Sequence, residues 1–310
     1  MIYTVTLNPA LDKSVEIPGF TPNAVNRAAS VRVDPGGKGI NVSKALARLG
    51  ADSLAFAVLG GDTGRAVAAG LKRLGLRCEI LWTEGETRTN LKIVDPESGS
   101  TTDVNEPGEP IPAGGLSGLL GQLTGLLKPS DLAVLSGSLP PGAPKDMYRV
   151  LTQTCRARGA RVILDADGAP LAEGLKAAPS LIKPNEAEFA RLTGTTADSP
   201  AGLADAARGL LRRYQIPRIV VTLGGRGALY VNEGQALFAS APRVSVRSAT
   251  GAGDGVVAAL AFAMQEKKPW PEAFRFAVAY GSACAACPGS APARRADAEA
   301  LAPQVRLEAV

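Results

Sequence analysis

The chain has 310 residues, of which 45% are hydrophobic and 20% charged, which is enough apolar sequence to bury a large core. It contains no histidine, and this excludes imidazole bases, histidine-dependent triads and histidine-ligated zinc or iron sites. Lysine and arginine exceed aspartate and glutamate by 34 − 29 = 5, but the basic residues are dispersed and only 5% of residues are aromatic, which argues against nucleic-acid binding.

Predicted strands alternate with predicted helices along the chain. The first strand, at 2–7, is a β-branched run that ends at the turn signal Asn8-Pro9. Further apolar runs of strand length follow at 53–59, 132–135, 162–164 and 219–223. Helical spacing of apolar residues occurs at 40–49, 63–74, 144–157 and 201–214. This alternation is typical of an α/β fold with a doubly wound, mostly parallel sheet and helices on both faces.

Two segments, 13–33 and 88–104, interrupt the alternation because their apolar and polar residues alternate without helical spacing. We interpret them as short antiparallel strands that project from the main domain as a flap. A small sheet leaves one face uncovered, so the flap should either cover a ligand or pair with another copy of itself. No internal repeat or linker divides the chain, and we therefore predict one domain over 1–310 that carries this flap.

Composition also bears on location and redox state. No apolar run reaches the roughly 20 residues of a membrane helix, the longest being 255–264, and the first residues lack the pattern of a secretory signal. We therefore expect a cytoplasmic protein that does not act in a membrane. The four cysteines are too few and too scattered for a disulfide scaffold, so reduced thiols are expected.

The first glycine-rich segment, 35–43, runs directly into a predicted helix. Its glycines allow a tight turn and close approach to a ligand, and the helix start offers N–H groups to an oxygen-rich molecule. It is not a P-loop, because the residue after Lys38 is glycine rather than Ser or Thr. The residues alone leave both a tight turn and a ligand site open.

The second glycine-rich segment, 250–254, precedes an apolar, alanine-rich helix. Gly251, Ala252 and Gly253 would form a concavity of N–H donors suited to a phosphoryl group during its transfer. Asp254 has two interpretations at this position, as a helix N-cap or as a base that accepts a hydroxyl proton. Spacing alone does not choose between them.

Two further polar clusters follow predicted strands. In 183–188, Asn185 and Glu188 lie three residues apart on one helical face, which suits either a hydrated Mg²⁺ or a capping arrangement. In 222–227, glycines follow a buried strand at its carboxyl end. Ligands of open α/β sheets bind at that edge.

Together these segments resemble the ribokinase and phosphofructokinase B family of ATP-dependent carbohydrate kinases. The matching motifs, in chain order, are 6–12, 36–42, 86–90, 135–140, 183–186, 222–225 and 251–254. The opening motif, Lys38 and the turn at 105–108 are similar to the branch that phosphorylates sugar phosphates, which includes 1-phosphofructokinase and tagatose-6-phosphate kinase. The resemblance implies a ribokinase-like fold, a β lid over the sugar site, Mg-ATP as phosphoryl donor, and in many members a homodimer formed through the lids.

The resemblance also implies an activity and a role for individual residues. Fructose 1-phosphate is the expected acceptor; the alternatives are tagatose 6-phosphate or fructose 6-phosphate, an unphosphorylated sugar or nucleoside, and a non-catalytic sugar-phosphate-binding regulator. Asp254 would accept the hydroxyl proton, and Gly251, Ala252 and Gly253 would form the anion hole. Acceptor contacts would come from Asp12, Arg27, Gly37, Lys38, Asn41, Arg88 and Ser138. Nucleotide contacts would come from Lys183, Asn185, Thr222, Gly224, Gly227 and Ser282.

Within these implied sets, some residues have narrower roles. Lys38, Arg88 and Arg27 would bind the phosphate already on the sugar, because arginine in particular can grip phosphate with two parallel N–H bonds. Asn185 and Glu188 would order Mg²⁺ through water.

Two residues depart from the family pattern, and a third segment corresponds to a cation site of the family. Gly255 stands where the family commonly has serine, and Ala249 where threonine or a similar residue is usual; we expect altered specificity or loop geometry rather than loss of activity. Cys284, Cys287 and Gly289 lie where many members bind a monovalent cation, so K⁺ is a further expected cofactor. The two cysteines themselves are expected to pack in the core.

Overall fold

The protein is described by a computed structural model over residues 1–111, 113–195 and 199–310. In chain order its strands are β1 (Ile2–Thr6), β2 (Ala10–Glu16), β3 (Ser30–Gly36), β4 (Ser53–Gly60), β5 (Cys78–Thr83), β6 (Arg88–Asp95), β7 (Ser100–Asn105), β8 (Leu132–Ser136), β9 (Arg161–Asp165), β10 (Leu181–Ile182), β11 (Ile219–Thr222), β12 (Gly227–Val231), β13 (Ala236–Ser240) and β14 (Leu307–Ala309). Its helices are α1 (Lys38–Leu49), α2 (Gly61–Arg73), α3 (Ala113–Leu126), α4 (Met147–Ala157), α5 (Gly168–Leu175), α6 (Glu186–Thr193), α7 (Pro200–Tyr214), α8 (Ala252–Gln265), α9 (Trp270–Ala285) and α10 (Arg295–Leu301).

The main sheet has the order β14-β13-β12-β11-β10-β9-β8-β1-β4-β5. Neighbouring strands from β11 to β5 pair in parallel, and β12, β13 and β14 extend the sheet with antiparallel pairings. This confirms the predicted doubly wound, mostly parallel sheet. β1 lies between β8 and β4, so the strands that follow it in the chain are added first on one side of β1 and then on the other. A crevice opens at the carboxyl edge of the sheet where the order of the strands switches in this way.

Two apolar layers cover the two faces of the main sheet. Tyr148 and Phe189 are fully buried in one layer, and Phe274 and Tyr280 in the other. The strands between the layers are buried on both faces, which is why β8 is a nearly continuous apolar run and why even Thr4 and Thr6 of β1 are buried. Helix α8 packs against α1 and α9, and its many alanines allow this close approach.

Four strands form a separate small sheet in the order β3-β2-β6-β7, which we call the small sheet. β6 begins at the predicted boundary, Arg88, whereas β2 begins at Ala10, β3 ends at Gly36 and β7 ends at Asn105. Residues 17–29 lie between β2 and β3 without strand structure. The prediction of only antiparallel pairing was wrong for the central pair, because β2 and β6 run parallel. Their connection passes through β3, α1, β4, α2 and β5, and a long connection of this kind permits parallel pairing.

No helix in the described ranges is long and apolar enough to cross a bilayer.

Candidate active site

A cavity of about 960 Å³ lies between the small sheet and the carboxyl edge of the main sheet. The predicted site residues that line it are Asp12, Gly37, Lys38, Asn41, Arg88, Lys183, Asn185, Thr222, Gly224, Gly227, Gly251, Ala252, Gly253, Asp254 and Ser282. Three other predicted residues are not part of this lining. Arg27 is exposed between β2 and β3, Ser138 is exposed after β8, and Glu188 is buried in α6.

The turn before α1 explains the first glycine cluster. Gly37 has φ 108°, and a Cβ there would lie 2.9 Å from Thr6 Cγ2 and 3.1 Å from Pro9 Cα. Only glycine combines this left-handed backbone with so close an approach. The segment is therefore both a tight turn and a part of the cavity wall. The turn places Lys38 and Asn41 of α1 on that wall.

Asp254 lies in the first turn of α8, where Gly251 is the N-cap at φ 82°. Its carboxylate makes no capping bond, so the N-cap interpretation was wrong. Instead, Asp254 Oδ2 accepts a hydrogen bond from Asn41 Nδ2 at 2.9 Å. Burial raises the pKa of Asp254 to about 6, the negative charge of Asp165 adds to this rise, and the Lys38 ammonium opposes it. This pKa is suited to a proton acceptor near neutral pH.

The same helix start presents backbone N–H groups to the cavity. The Ala252 N–H donates to the Ala249 carbonyl at 3.3 Å. The N–H groups of Gly253 and Asp254 belong to the first helical turn, which has no preceding helical carbonyl to accept from them. A Cβ on Gly253 would lie 3.5 Å from Lys183 Nζ, so an ammonium group adjoins these donors. The arrangement favours an anion at this point.

Asp165 is not among the predicted site residues, yet it is the fully buried centre of the site's charge network. Its Oδ1 lies 3.2 Å from Lys38 Nζ and 3.4 Å from Lys183 Nζ. Burial alone would raise the pKa of Asp165, but the two ammonium groups outweigh burial and hold it below its usual value. Asp165 directly follows the apolar run at 162–164. The carboxyl-edge rule that was applied to 222–227 could have identified it.

Asn185 and Glu188 adopt the capping arrangement. Asn185 Oδ1 accepts from the Glu188 N–H, and Glu188 Oε2 accepts from the Asn185 N–H, both at 2.8 Å. The remaining Glu188 oxygen, Oε1, lies 3.5 Å from Lys38 Nζ. The capping box therefore fixes the start of α6 beside the cavity.

A divalent cation fits the oxygen donors near this helix. Asp165 Oδ2 is buried and has no hydrogen-bond partner, while Asn185 lines the adjacent cavity wall. Over residues 1–111, 113–195 and 199–310, no group of three or more His, Cys, Asp or Glu could hold a metal ion. A small number of oxygen donors suits Mg²⁺, which keeps several waters and binds through substrate phosphates.

The residues predicted to bind the acceptor's phosphate lie apart. Arg88 donates to the carbonyls of Asn8 at 3.1 Å, Pro9 at 3.4 Å and Glu106 at 2.9 Å. Asn8 Nδ2 in turn donates to Ser138 Oγ at 3.2 Å, so Arg88 and Ser138 both contact Asn8. Lys38 lies with the carboxylates of Asp165 and Glu188 instead.

The unusual glycine at 255 has a structural explanation in the facing helix α9. A Cβ on Gly255 would lie 2.8 Å from Cys284 Sγ. The sulfur therefore occupies the space that a serine side chain at 255 would need. Cys284 is 2% exposed, and burial raises the pKa of its thiol to about 12, which agrees with the expected core packing.

We expect Gly255→Ser to lower the free energy of unfolding by about 1–3 kcal/mol through overpacking. Cys284→Ala in the same chain should recover most of this loss, because it removes the facing sulfur. Urea denaturation of the two single variants and the double variant measures the coupling. Additive effects in the double variant would contradict this explanation.

The fold and the site define a phosphotransferase architecture, and comparison with known proteins identifies it further. Residues 5–296 match the pfkB family carbohydrate kinase model, and the chain belongs to this family. It is 42% identical over 265 residues to 1-phosphofructokinase of Xanthomonas campestris pv. campestris, covering 84% of this chain and 83% of that protein. Identity to 1-phosphofructokinase of Bacillus subtilis is 35% over 285 residues, with 92% of each chain covered.

A solved structure agrees with this identification. Phosphofructokinase-2 from Escherichia coli, in complex with substrates and products, matches the fold with a TM-score of 0.93 at 30% identity over 98% of both chains. The ribokinase-like fold and the family predicted from the sequence motifs are therefore confirmed. The chain is an ATP-dependent carbohydrate kinase.

Proposed function

We propose that this kinase transfers the γ-phosphoryl group of ATP to fructose 1-phosphate, giving fructose 1,6-bisphosphate. The observation that carries the proposal is the buried Asp254 carboxylate, which lies in the first turn of α8 on the wall of a cavity between two sheets. The relatives named 1-phosphofructokinase support this acceptor. Phosphofructokinase-2 in complex with fructose 6-phosphate, at 30% identity, supports fructose 6-phosphate as the second candidate.

Asp254 accepts the proton of the acceptor hydroxyl in this proposal. Its hydrogen bond to Asn41 orients the carboxylate, and its pKa of about 6 keeps it ionised at neutral pH. The Gly251-Ala252-Gly253 segment and the start of α8 stabilise the charge of the phosphoryl group in transfer, with Lys183 adjoining. Holding the hydroxyl in line with the phosphoryl group supplies the rest of the rate acceleration.

The small sheet acts as a lid over the acceptor. Asp12 Oδ1 accepts from Asn90 Nδ2 at 3.0 Å, which orients the carboxylate that would bind a sugar hydroxyl. Gly37 and Asn41 would complete the hydroxyl contacts from the main domain. Arg88 and Ser138 remain candidates for the acceptor's phosphate, and the exposed Arg27 would reach it only by a movement or from a second copy.

Nucleotide binding is proposed for the opposite part of the cavity. Val246, which is 64% exposed, and the lining residues Val278 and Ala285 provide an apolar wall that suits an adenine ring. The predicted contacts on this side are Lys183, Asn185, Thr222, Gly224, Gly227 and Ser282. Asp165 and Asn185 would hold Mg²⁺, with Glu188 acting through the capping box. Bound Mg²⁺ would neutralise charge on the phosphate oxygens.

Potassium stimulation remains a prediction for the segment around Cys284, Cys287 and Gly289. Phosphofructokinase-2 from Escherichia coli has been solved in complex with potassium. In this chain the Pro288 carbonyl accepts from Arg32 Nη2 at 2.9 Å, so a guanidinium already lies on this segment. Turnover in potassium chloride and in tetramethylammonium chloride at equal ionic strength measures the dependence.

A homodimer through the small sheets is proposed from the outer face of that sheet. Val31, Val33 and Val104 are 54%, 49% and 52% exposed there. Val15 lies in register between Val31 and Ile93, so apolar side chains continue across the strands. A small sheet with one exposed apolar face suits pairing with the same face of a second copy.

We expect Val31→Lys combined with Val104→Lys to convert the dimer into a monomer, because each partner would bury uncompensated charge. Light scattering should give twice the chain mass of 31.8 kDa before substitution and one chain mass after it. Leu126→Lys is the matched control. Leu126 is 43% exposed, and its carbonyl accepts a hydrogen bond from the Tyr3 hydroxyl. Tyr3 lies near the amino end of β1, whereas the cavity lies at the carboxyl edge of the sheet. An unsubstituted chain that is already monomeric would contradict the proposal.

The proposed activity is tested by ADP release with Mg-ATP and a panel of acceptors. The panel contains fructose 1-phosphate, fructose 6-phosphate, tagatose 6-phosphate and free fructose. We expect kcat/KM for fructose 1-phosphate to exceed each of the others by at least about tenfold. A preference for a 6-phosphate would replace the proposed acceptor, and binding without turnover across the panel would favour a regulator.

A further inference from the structure

The inner face of the small sheet carries a cation, Lys92, in addition to the predicted phosphate-binding residues. Ser14, Lys92 and Asp103 lie side by side across three strands, since Ser14 pairs in register with Lys92 and Lys92 with Asp103. All three line the cavity. Lys92 Nζ lies 2.5 Å from Asp103 Oδ1, and these side chains are 20% and 50% exposed.

The other predicted phosphate-binding cations have firmer attachments. Lys38 lies near two carboxylates that are almost fully buried, at 3.2 Å and 3.5 Å. The Arg88 guanidinium donates to three backbone carbonyls. These hydrogen bonds connect the start of β6 to the segment before β2 and to the segment after β7. Arg27 is exposed and lies outside the cavity lining.

Lys92 differs because its ion-pair partner in the structure is one half-exposed carboxylate. Ion pairs with this much exposure add little stability, so a stronger anion can replace the carboxylate. A phosphate dianion carries more charge than a carboxylate and offers three acceptor oxygens. The neighbouring Ser14 hydroxyl could donate to the same group.

We propose that Lys92 is a specificity-determining residue that binds the phosphate already present on the acceptor, exchanging Asp103 for it. The inference rests on the proposed function and deepens it. Asp103 neutralises the ammonium while the acceptor site is empty. An unphosphorylated sugar brings no charge to displace Asp103, so the pair selects sugar phosphates over free sugars.

Isothermal titration of fructose 1-phosphate and of free fructose, without nucleotide, tests the exchange. Lys92→Met should weaken binding of fructose 1-phosphate by about 30-fold, as expected when a charged hydrogen bond is lost. Binding of free fructose should change less than about threefold, because it makes no use of the ammonium. Lys72→Met is the matched control, since Lys72 is exposed in the last turn of α2 and is not part of the cavity lining.

Asp103→Asn supplies an independent test that leaves the ammonium in place. It should tighten binding of fructose 1-phosphate, because the competing carboxylate is gone. Equal weakening of both sugars by Asp103→Asn would mean that Asp103 binds a hydroxyl, and the inference would be overturned. A change below threefold in fructose 1-phosphate binding by Lys92→Met would overturn it as well.

Turnover separates this inference from the proposed function. An unsubstituted enzyme that binds fructose 1-phosphate but does not phosphorylate it would refute the proposed function. The titrations would still test whether Lys92 binds the phosphate of the acceptor. If the enzyme is active but Lys92→Met leaves its binding of fructose 1-phosphate unchanged, only the role of Lys92 is refuted.

Discussion

Asp254→Asn should lower kcat by about 10³-fold while KM for fructose 1-phosphate changes less than about threefold. The amide keeps the size of the carboxylate, so the cavity and the contact with Asn41 are preserved in shape. It cannot accept the hydroxyl proton, and this function is needed only in the transition state. Steady-state kinetics measures the split between kcat and KM. Asp205→Asn, at an exposed aspartate of α7, is the matched control.

The pH profile adds a second signature for the same carboxylate. Burial raises the pKa of Asp254 to about 6, so the base becomes protonated and inactive as the pH falls through that value. We expect kcat/KM of the unsubstituted enzyme to fall about tenfold per pH unit below pH 6. The residual activity of Asp254→Asn should lack this acid limb. An acid limb that persists unchanged in the variant would assign it to another group.

Asp165→Asn should lower the free energy of unfolding by about 3 kcal/mol at pH 7, because it leaves buried ammonium charge without its counterion. Lys183 is 4% exposed and has Asp165 as its ion-pair partner in the structure, whereas Lys38 keeps Glu188 as a second partner. Urea denaturation measures the loss. Lys38 and Lys183 both line the cavity, so turnover should fall as well.

The pH dependence of this loss has a definite sign. The pKa of Asp165 is lower in the folded protein than its usual value, because the two ammonium groups outweigh burial. Its stabilisation is therefore fully present above about pH 4 and declines as the pH falls through the folded value. The difference between Asp165→Asn and the unsubstituted chain should shrink below about pH 4. A difference under about 1 kcal/mol at pH 7 would contradict the proposed charge network.

The class of the main sheet could be predicted from the sequence, because the alternation of strands and helices is a local signal. Buried runs such as 132–135 and 162–164 alternate with helical spacing, and helical connections of this length are typical of parallel neighbours. The small sheet was predicted only in outline. Its central β2–β6 pair joins segments more than seventy positions apart, so no local pattern reports that they run parallel.

The parts of the candidate site that a short motif forms by itself could be predicted from the sequence. The glycine turn at Gly37 and the helix start at Gly251 are local, and both line the cavity. Side-chain partners are not local. The sequence does not report that Lys38 contacts Asp165, 127 positions away, or that Cys284 fills the space beside Gly255. These contacts depend on which strands and helices become neighbours.

The most direct test of the account is to identify the product by ³¹P nuclear magnetic resonance after incubation with Mg-ATP and fructose 1-phosphate. If the cavity holds both substrates with Asp254 at the acceptor hydroxyl, the spectrum should show ADP and a second phosphate ester on the same sugar, in equal amounts. Release of inorganic phosphate without a new ester would contradict phosphoryl transfer to the sugar. An unchanged spectrum, with full turnover on a 6-phosphate, would contradict the proposed acceptor.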